Sequence, residues 1–165
     1  MLKKPFLISV VLLISAAAVF PDGVFEEYEH AVGGFYGNVG GQGLSYQQWF
    51  GSFGIETAAG MSLNSSTGFL FNVGLQPQYR LYSDSFGDWL DGCLYLWAGG
   101  LFGSTGTATA TSFYLNGGAG IGTEIVLFKH FSIPLEAGYF AGWQLGNIAP
   151  QIASFVVQGG LRYRF

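Results

Sequence analysis

Charge is scarce in this chain: 10% of its 165 residues are Asp, Glu, Lys or Arg, whereas soluble domains carry about 25%. The six bases are outnumbered by ten acids, which argues against nucleic acid as a partner. Long apolar runs are also missing. Beyond the N-terminus nothing approaches the roughly 18 consecutive apolar residues of a membrane-crossing helix. Cysteine is limited to Cys93, so no internal disulfide can form. Cys93 also lies too far from the N-terminus to carry a lipid anchor, and it reads as a small buried apolar residue.

What remains is unusually greasy. Half the chain is hydrophobic, 18% is aromatic, and 27 glycines are spread along it. Low charge with high apolar content points to a membrane. Backbone in lipid must satisfy its own hydrogen bonds, so helices or a closed barrel are the available solutions. Helical spans are lacking and glycine disfavours helix, which leaves the barrel.

The N-terminus has its own pattern. Lys3 and Lys4 precede an apolar run over 6–20 broken only by Ser9 and Ser15, with Ala16, Ala17 and Ala18 as small residues for cleavage. This is the three-part layout of a secretory signal peptide, predicted over 1–18. Cleavage there removes two lysines, leaving four bases against ten acids, a net charge of −6. Residues 19–30, with Glu26, Glu27 and Glu29, read as an acidic, irregular periplasmic lead-in. Residues 31–165 read as one barrel domain.

Alternation of apolar and polar residues marks the strands, because side chains alternate across a strand. Phe155, Val157, Gly159, Leu161, Tyr163 and Phe165 share one face, and Gln158, Gly160, Arg162 and Arg164 share the other. Phe131 to Trp143, Ala119 to Leu127, Phe69 to Leu81, and Phe53 to Leu63 repeat the pattern on odd positions. Segments 44–50 and 93–103 are expected strands whose facing alternation leaves open. An even count requires one more, for which 31–39 is the candidate. The expected fold is all-β: a closed antiparallel up-and-down transmembrane β-barrel of eight strands. Turns at 51–52, 83–92 and 129–130 fall on the side of the C-terminus. Those at 40–43, 64–68, 104–112 and 144–153 fall on the other. Bacterial barrels keep short turns in the periplasm and longer loops outside, so the 83–92 connection is long for its side.

The C-terminus resembles the insertion signal of bacterial outer-membrane barrels, with Gln158, Gly160, Tyr163 and Phe165 in its polar, glycine, aromatic and terminal aromatic positions. Together with the signal peptide and the alternation, the mature chain resembles the small eight-stranded barrel superfamily that includes OmpA-like, OmpX-like and OmpW-like proteins. The resemblance implies export to the outer membrane of a diderm bacterium. It also implies contact with outer-membrane lipid and insertion by the barrel-assembly machinery.

The inward face is expected to hold Glu56, Arg80, Glu124, Glu136, Arg162 and Arg164. Charges facing lipid cost about 2–4 kcal/mol at the bilayer midplane, so their segregation suits a barrel. These six read as an ion-pair network closing a lumen narrow enough for side chains to fill. The alternative is a proton or ion path. His130-x-Ser132 resembles the His-x-Ser pair of lipid A deacylases, where a base beside a hydroxyl suits acyl transfer. Here the pair falls at a predicted periplasmic turn, and the expected downstream acid is missing. No catalytic, cofactor or metal site is therefore expected. The glycine runs at 33–34 and 117–120 precede no helix and form no phosphate loop. The leading expectation is a non-catalytic outer-membrane barrel with a structural or surface-interaction role and a plugged lumen. The alternatives are a narrow, porin-like pore or OmpW-like transport of small molecules, and then a lipid A-modifying enzyme.

Overall fold

The computed structural model describes residues 24–64, 68–106, 110–145 and 152–165. The expected signal peptide over 1–18 and the first residues of the lead-in lie outside them. A short helix, α1 (Val24–Glu27), precedes eight strands. These are β1 (His30–Gly37), β2 (Gly41–Phe50), β3 (Phe53–Asn64), β4 (Gly68–Ser85), β5 (Leu90–Gly106), β6 (Thr111–Leu127), β7 (Phe131–Gln144) and β8 (Ile152–Arg164). Each strand pairs antiparallel with its neighbour in sequence, and β1 pairs with β8, so the sheet closes into an up-and-down barrel. The expected 31–39 segment is thus a true first strand, ending at Gly37 rather than Val39.

The facing left open by alternation is resolved by glycine. Ser45, Gln47 and Trp49 of β2 point inward, as do Cys93, Tyr95 and Trp97 of β5, while Leu94 and Leu96 point out. The Trp97 ring lies against Gly120 and Gly138, Tyr95 against Gly122, and Trp49 against Gly54, where a Cβ would clash. A narrow barrel can hold large rings only where the opposing strand offers no side chain.

Two expected boundaries move. The 83–92 segment is not a long connection: β4 runs to Ser85 and β5 starts at Leu90, leaving a four-residue turn. A bulge lies between Arg80 and Tyr82, and the pairing resumes beyond it to Ser85 opposite Asp91. Leu81 is the extra residue rather than a member of the outer row, and after it Tyr82 faces out and Ser83 in. A bulge inserts one residue and shifts the alternation, which pattern reading cannot follow. On the other side, β5 reaches Gly106 and β6 begins at Thr111, so most of the expected 104–112 loop is strand.

The lead-in is not merely irregular. Val24 and Phe25 of α1 are buried in the core cluster, so the helix caps the barrel end where β1 begins and β8 finishes. At this end the β1–β8 seam is tied by Phe165 N–H to the His30 carbonyl, 2.9 Å, and His30 N–H to the Phe165 carbonyl, 3.3 Å.

The tip of the β1–β2 hairpin leaves the wall and folds into the lumen. Val39 is fully buried and its methyl reaches the Gly118 backbone across the barrel. Gly41 and Gly43 make the bend with φ of 105° and 133°, a region that side chains disfavour. A Cβ at Gly74 would fall on the Gly40 carbonyl, so that wall position must be bare for the tip to pass.

Candidate functional site

All six charged residues expected in the lumen are buried there. They form layers with different chemistry. At the capped end the Arg80 guanidinium lies over the rings of Phe25 (5.2 Å) and Trp49 (5.1 Å) and donates to the Gly51 carbonyl. Arg164 covers the Phe25 ring at 4.7 Å and donates to the Tyr28 carbonyl at 2.7 Å. The acidic lead-in thus contributes a ring held between two cations, a favourable cation–π arrangement when desolvated.

The next layer holds the ion pairs. Arg162 bonds Glu56 directly and approaches Glu124 at 3.8 Å. Arg164 reaches Glu124 at 3.1 Å. Glu124 also accepts from the Ser132 hydroxyl and from Gln47 Nε2 at 3.3 Å. Gln78 Nε2 donates to Glu56 at 3.0 Å. Buried carboxylates are tolerable when paired and hydrogen-bonded, and every oxygen of these two has a partner, although Arg162 Nε and Nη1 and Arg164 Nε make no hydrogen bond.

Glu136 departs from the expected scheme, being held by neutral donors. Gln76 Nε2 (2.6 Å), Tyr95 Oη (2.7 Å) and Gln158 Nε2 (2.6 Å) all donate to it. Gln76, Gln78 and Gln158 were legible as inward residues, but nothing in spacing alone marks them as a cage. Tyr95 lay in a strand of open facing. Gln158 Oε1 also accepts from the Val39 N–H at 3.3 Å, tying the folded-in hairpin to the cage.

His130 and Ser132 part company. Ser132 is fully buried and its hydroxyl is committed to Glu124. The His130 ring stacks on Tyr163 at 5.2 Å and meets Tyr28 edge-on at 4.8 Å, with Nδ1 3.0 Å from the Arg164 carbonyl. No base–nucleophile geometry is evident between them. Among the described residues no group of three or more His, Cys, Asp or Glu could hold a metal. Cys93 is a free, buried thiol. In the C-terminal segment, Gln158 and Gly160 face inward, and Gly160 packs on the Gly34 backbone. Tyr163 faces outward beside Phe131, and Phe165 stacks on His30.

The outer surface is the inverse of the lumen. Phe53, Ile55, Phe71, Leu75, Leu96, Leu115, Ile121, Leu135, Phe155 and Leu161 are among its exposed apolar residues, and they occur on every strand from β3 to β8. The exposed charges in the described residues, Glu26, Glu27, Glu29, Asp84, Asp88 and Lys129, all sit at the capped end. Fold and site together define an eight-stranded barrel with acidic and basic side chains buried inside and an apolar exterior. The chain matches no family model, no curated protein and no solved structure.

Proposed function

We propose that this protein is an integral outer-membrane β-barrel of a diderm bacterium, non-catalytic, with a plugged lumen and a structural or surface-interaction role. The observation that carries this is the inversion just described: apolar side chains ring the outside while buried acids and bases fill the inside. Monomeric soluble proteins rarely expose so continuous an apolar surface, and lipid is the solvent that suits it. Aromatics at the strand ends, such as Phe50, Phe128 and Trp89 at one end and Phe69 and Phe113 at the other, fit interfacial girdles. The short turns, the C-terminus and the exposed charges would face the periplasm.

Membrane fractionation of the expressing bacterium tests the location. The expected result is the chain in the outer-membrane fraction, resistant to extraction by high salt or alkali. Recovery in the soluble periplasm would overturn the reading. Deletion of Phe165 is expected to impair assembly while leaving export intact.

A further inference from the structure

The wall is not equally high all round. β1 has 8 residues and β2 has 10, whereas β4, β5 and β6 have 17 or 18. β8 pairs with β1 only as far as Gly159, opposite Tyr36, although its pairing with β7 continues to Ile152. β3 pairs with β2 only as far as Ala59, opposite Leu44, although its pairing with β4 continues to Asn64. Among the described residues, the upper parts of β3 and β8 therefore face each other with no strand between them. Three inter-strand spacings make such a gap about 14 Å wide if the wall keeps its course. Side chains at its edges are strongly exposed: Leu63 is 76% exposed, Met61 71%, Leu44 71% and Val157 68%.

The gap starts low. Eight residues of β1 at about 3.3 Å each, tilted by about 40°, rise roughly 20 Å. That is within the roughly 25 Å apolar band of a bacterial barrel, so the gap would open toward lipid. Behind it, above the folded-in hairpin tip, lies a cavity of about 350 Å³ on the β5–β7 wall. In an eight-strand ring that wall is opposite the β1–β2 gap. Asn38 forms its floor, with its carbonyl accepting from Asn116 Nδ2 at 2.8 Å, and Ser112, Tyr114 and Phe140 line its side. This half of the barrel carries no formal charge. The sequence has no Asp, Glu, Lys or Arg between Glu56 and Arg80, between Asp91 and Glu124, or between Glu136 and Arg162.

We propose that this cavity and gap together bind an uncharged single-chain amphiphile from the bilayer. Its hydroxyl or ester head sits among Asn38, Asn116, Tyr114 and Ser112, and its chain leaves between Leu63 and Val157. A cavity of about 350 Å³ is at the small end of ligand sites, sufficient for a head and the first part of a chain. A charged head would lose its hydration with no counter-charge to replace it. The inference rests on the membrane reading above.

The test uses the full chain folded in phosphatidylcholine vesicles and hexadecanol carrying a diazirine near its hydroxyl. After illumination, labelled peptides are mapped by mass spectrometry. The expected result is saturable labelling of Tyr114, Asn116 or Phe140, competed by plain hexadecanol. It should fall by about tenfold in Ser112→Trp, which fills the cavity from its rim, and about tenfold for the same chain with a sulfonate head. Retained amide protection of the strands shows that the variant is folded; Tyr114→Phe, which removes only a hydroxyl, provides a second, milder lesion with partial loss. Label confined to outer residues such as Leu75 and Leu135, without saturation, would overturn the site and leave the membrane reading standing. Equal labelling by the sulfonate would overturn the ligand class. Absence of label even on the outer face would overturn the membrane reading, and the site with it.

Discussion

Removing the Arg162 guanidinium would leave Glu56 buried beside Gln78 with no cation in direct contact. It would also take one of two cations from Glu124. Breaking a buried pair by deleting one partner costs about 3–5 kcal/mol. Arg162→Ala should therefore lower the urea midpoint of the refolded barrel markedly, and an unchanged midpoint would show the pair to be hydrated. Ser132 is the contrasting case. Its hydroxyl donates to a carboxylate that keeps other partners, so Ser132→Ala should cost only about 1 kcal/mol. The same variant addresses catalysis. Lipid A from cells expressing wild type and Ser132→Ala should have identical acylation by mass spectrometry. An acyl chain removed by wild type and retained with the variant would mean that the hydroxyl is a nucleophile.

At the level of elements, legibility followed the contrast between faces. In β3, β6, β7 and β8 one face is apolar and the other carries glycine, amides and charges, so facing can be read from residue type. In β2 and β5 the inner face is itself aromatic, with Trp49, Tyr95 and Trp97 lying on glycines of neighbouring strands. In β5 both faces then look apolar, and in β2 Gln47 inside is matched by Gln48 outside, so only knowledge of pairing separates the faces. α1 was illegible because four residues carry no periodicity, and its acids mask the Phe25 anchor. The folded-in hairpin tip was hidden for another reason. Its requirements are bare positions on distant strands, at Gly74 and Gly118, which have no local signature. That packing makes a prediction. Gly74→Val would put side-chain atoms where the Gly40 carbonyl lies and should expel the tip from the lumen. Hydrogen exchange should then accelerate at residues 38–41 while β4–β7 amides stay protected. Uniform protection in the variant would show that the tip can be accommodated elsewhere inside.

Taken as a whole, the barrel is closed three times along one axis. α1 caps one end with Phe25, the Glu–Arg and glutamine layers fill the middle, and the β1–β2 tip crosses the lumen beyond them. Obstructions in series act differently from a single gate, because removing one leaves the resistance of the others. In planar bilayers the wild type is expected to show no stable porin-like conductance. Phe25→Ala should free α1, making residues 24–29 protease-sensitive, yet the current should stay near baseline because the ion-pair layer is intact. Gly74→Val should be equally silent for the same reason. Only Phe25→Ala, Arg162→Ala and Gly74→Val together perturb all three layers, and that triple variant is expected to pass an open-channel current while the strands keep their amide protection. A large steady current from Phe25→Ala alone would show that the Glu56, Glu124 and Glu136 layer is permeable to ions. The lumen would then be a pathway gated by α1 rather than a packed core.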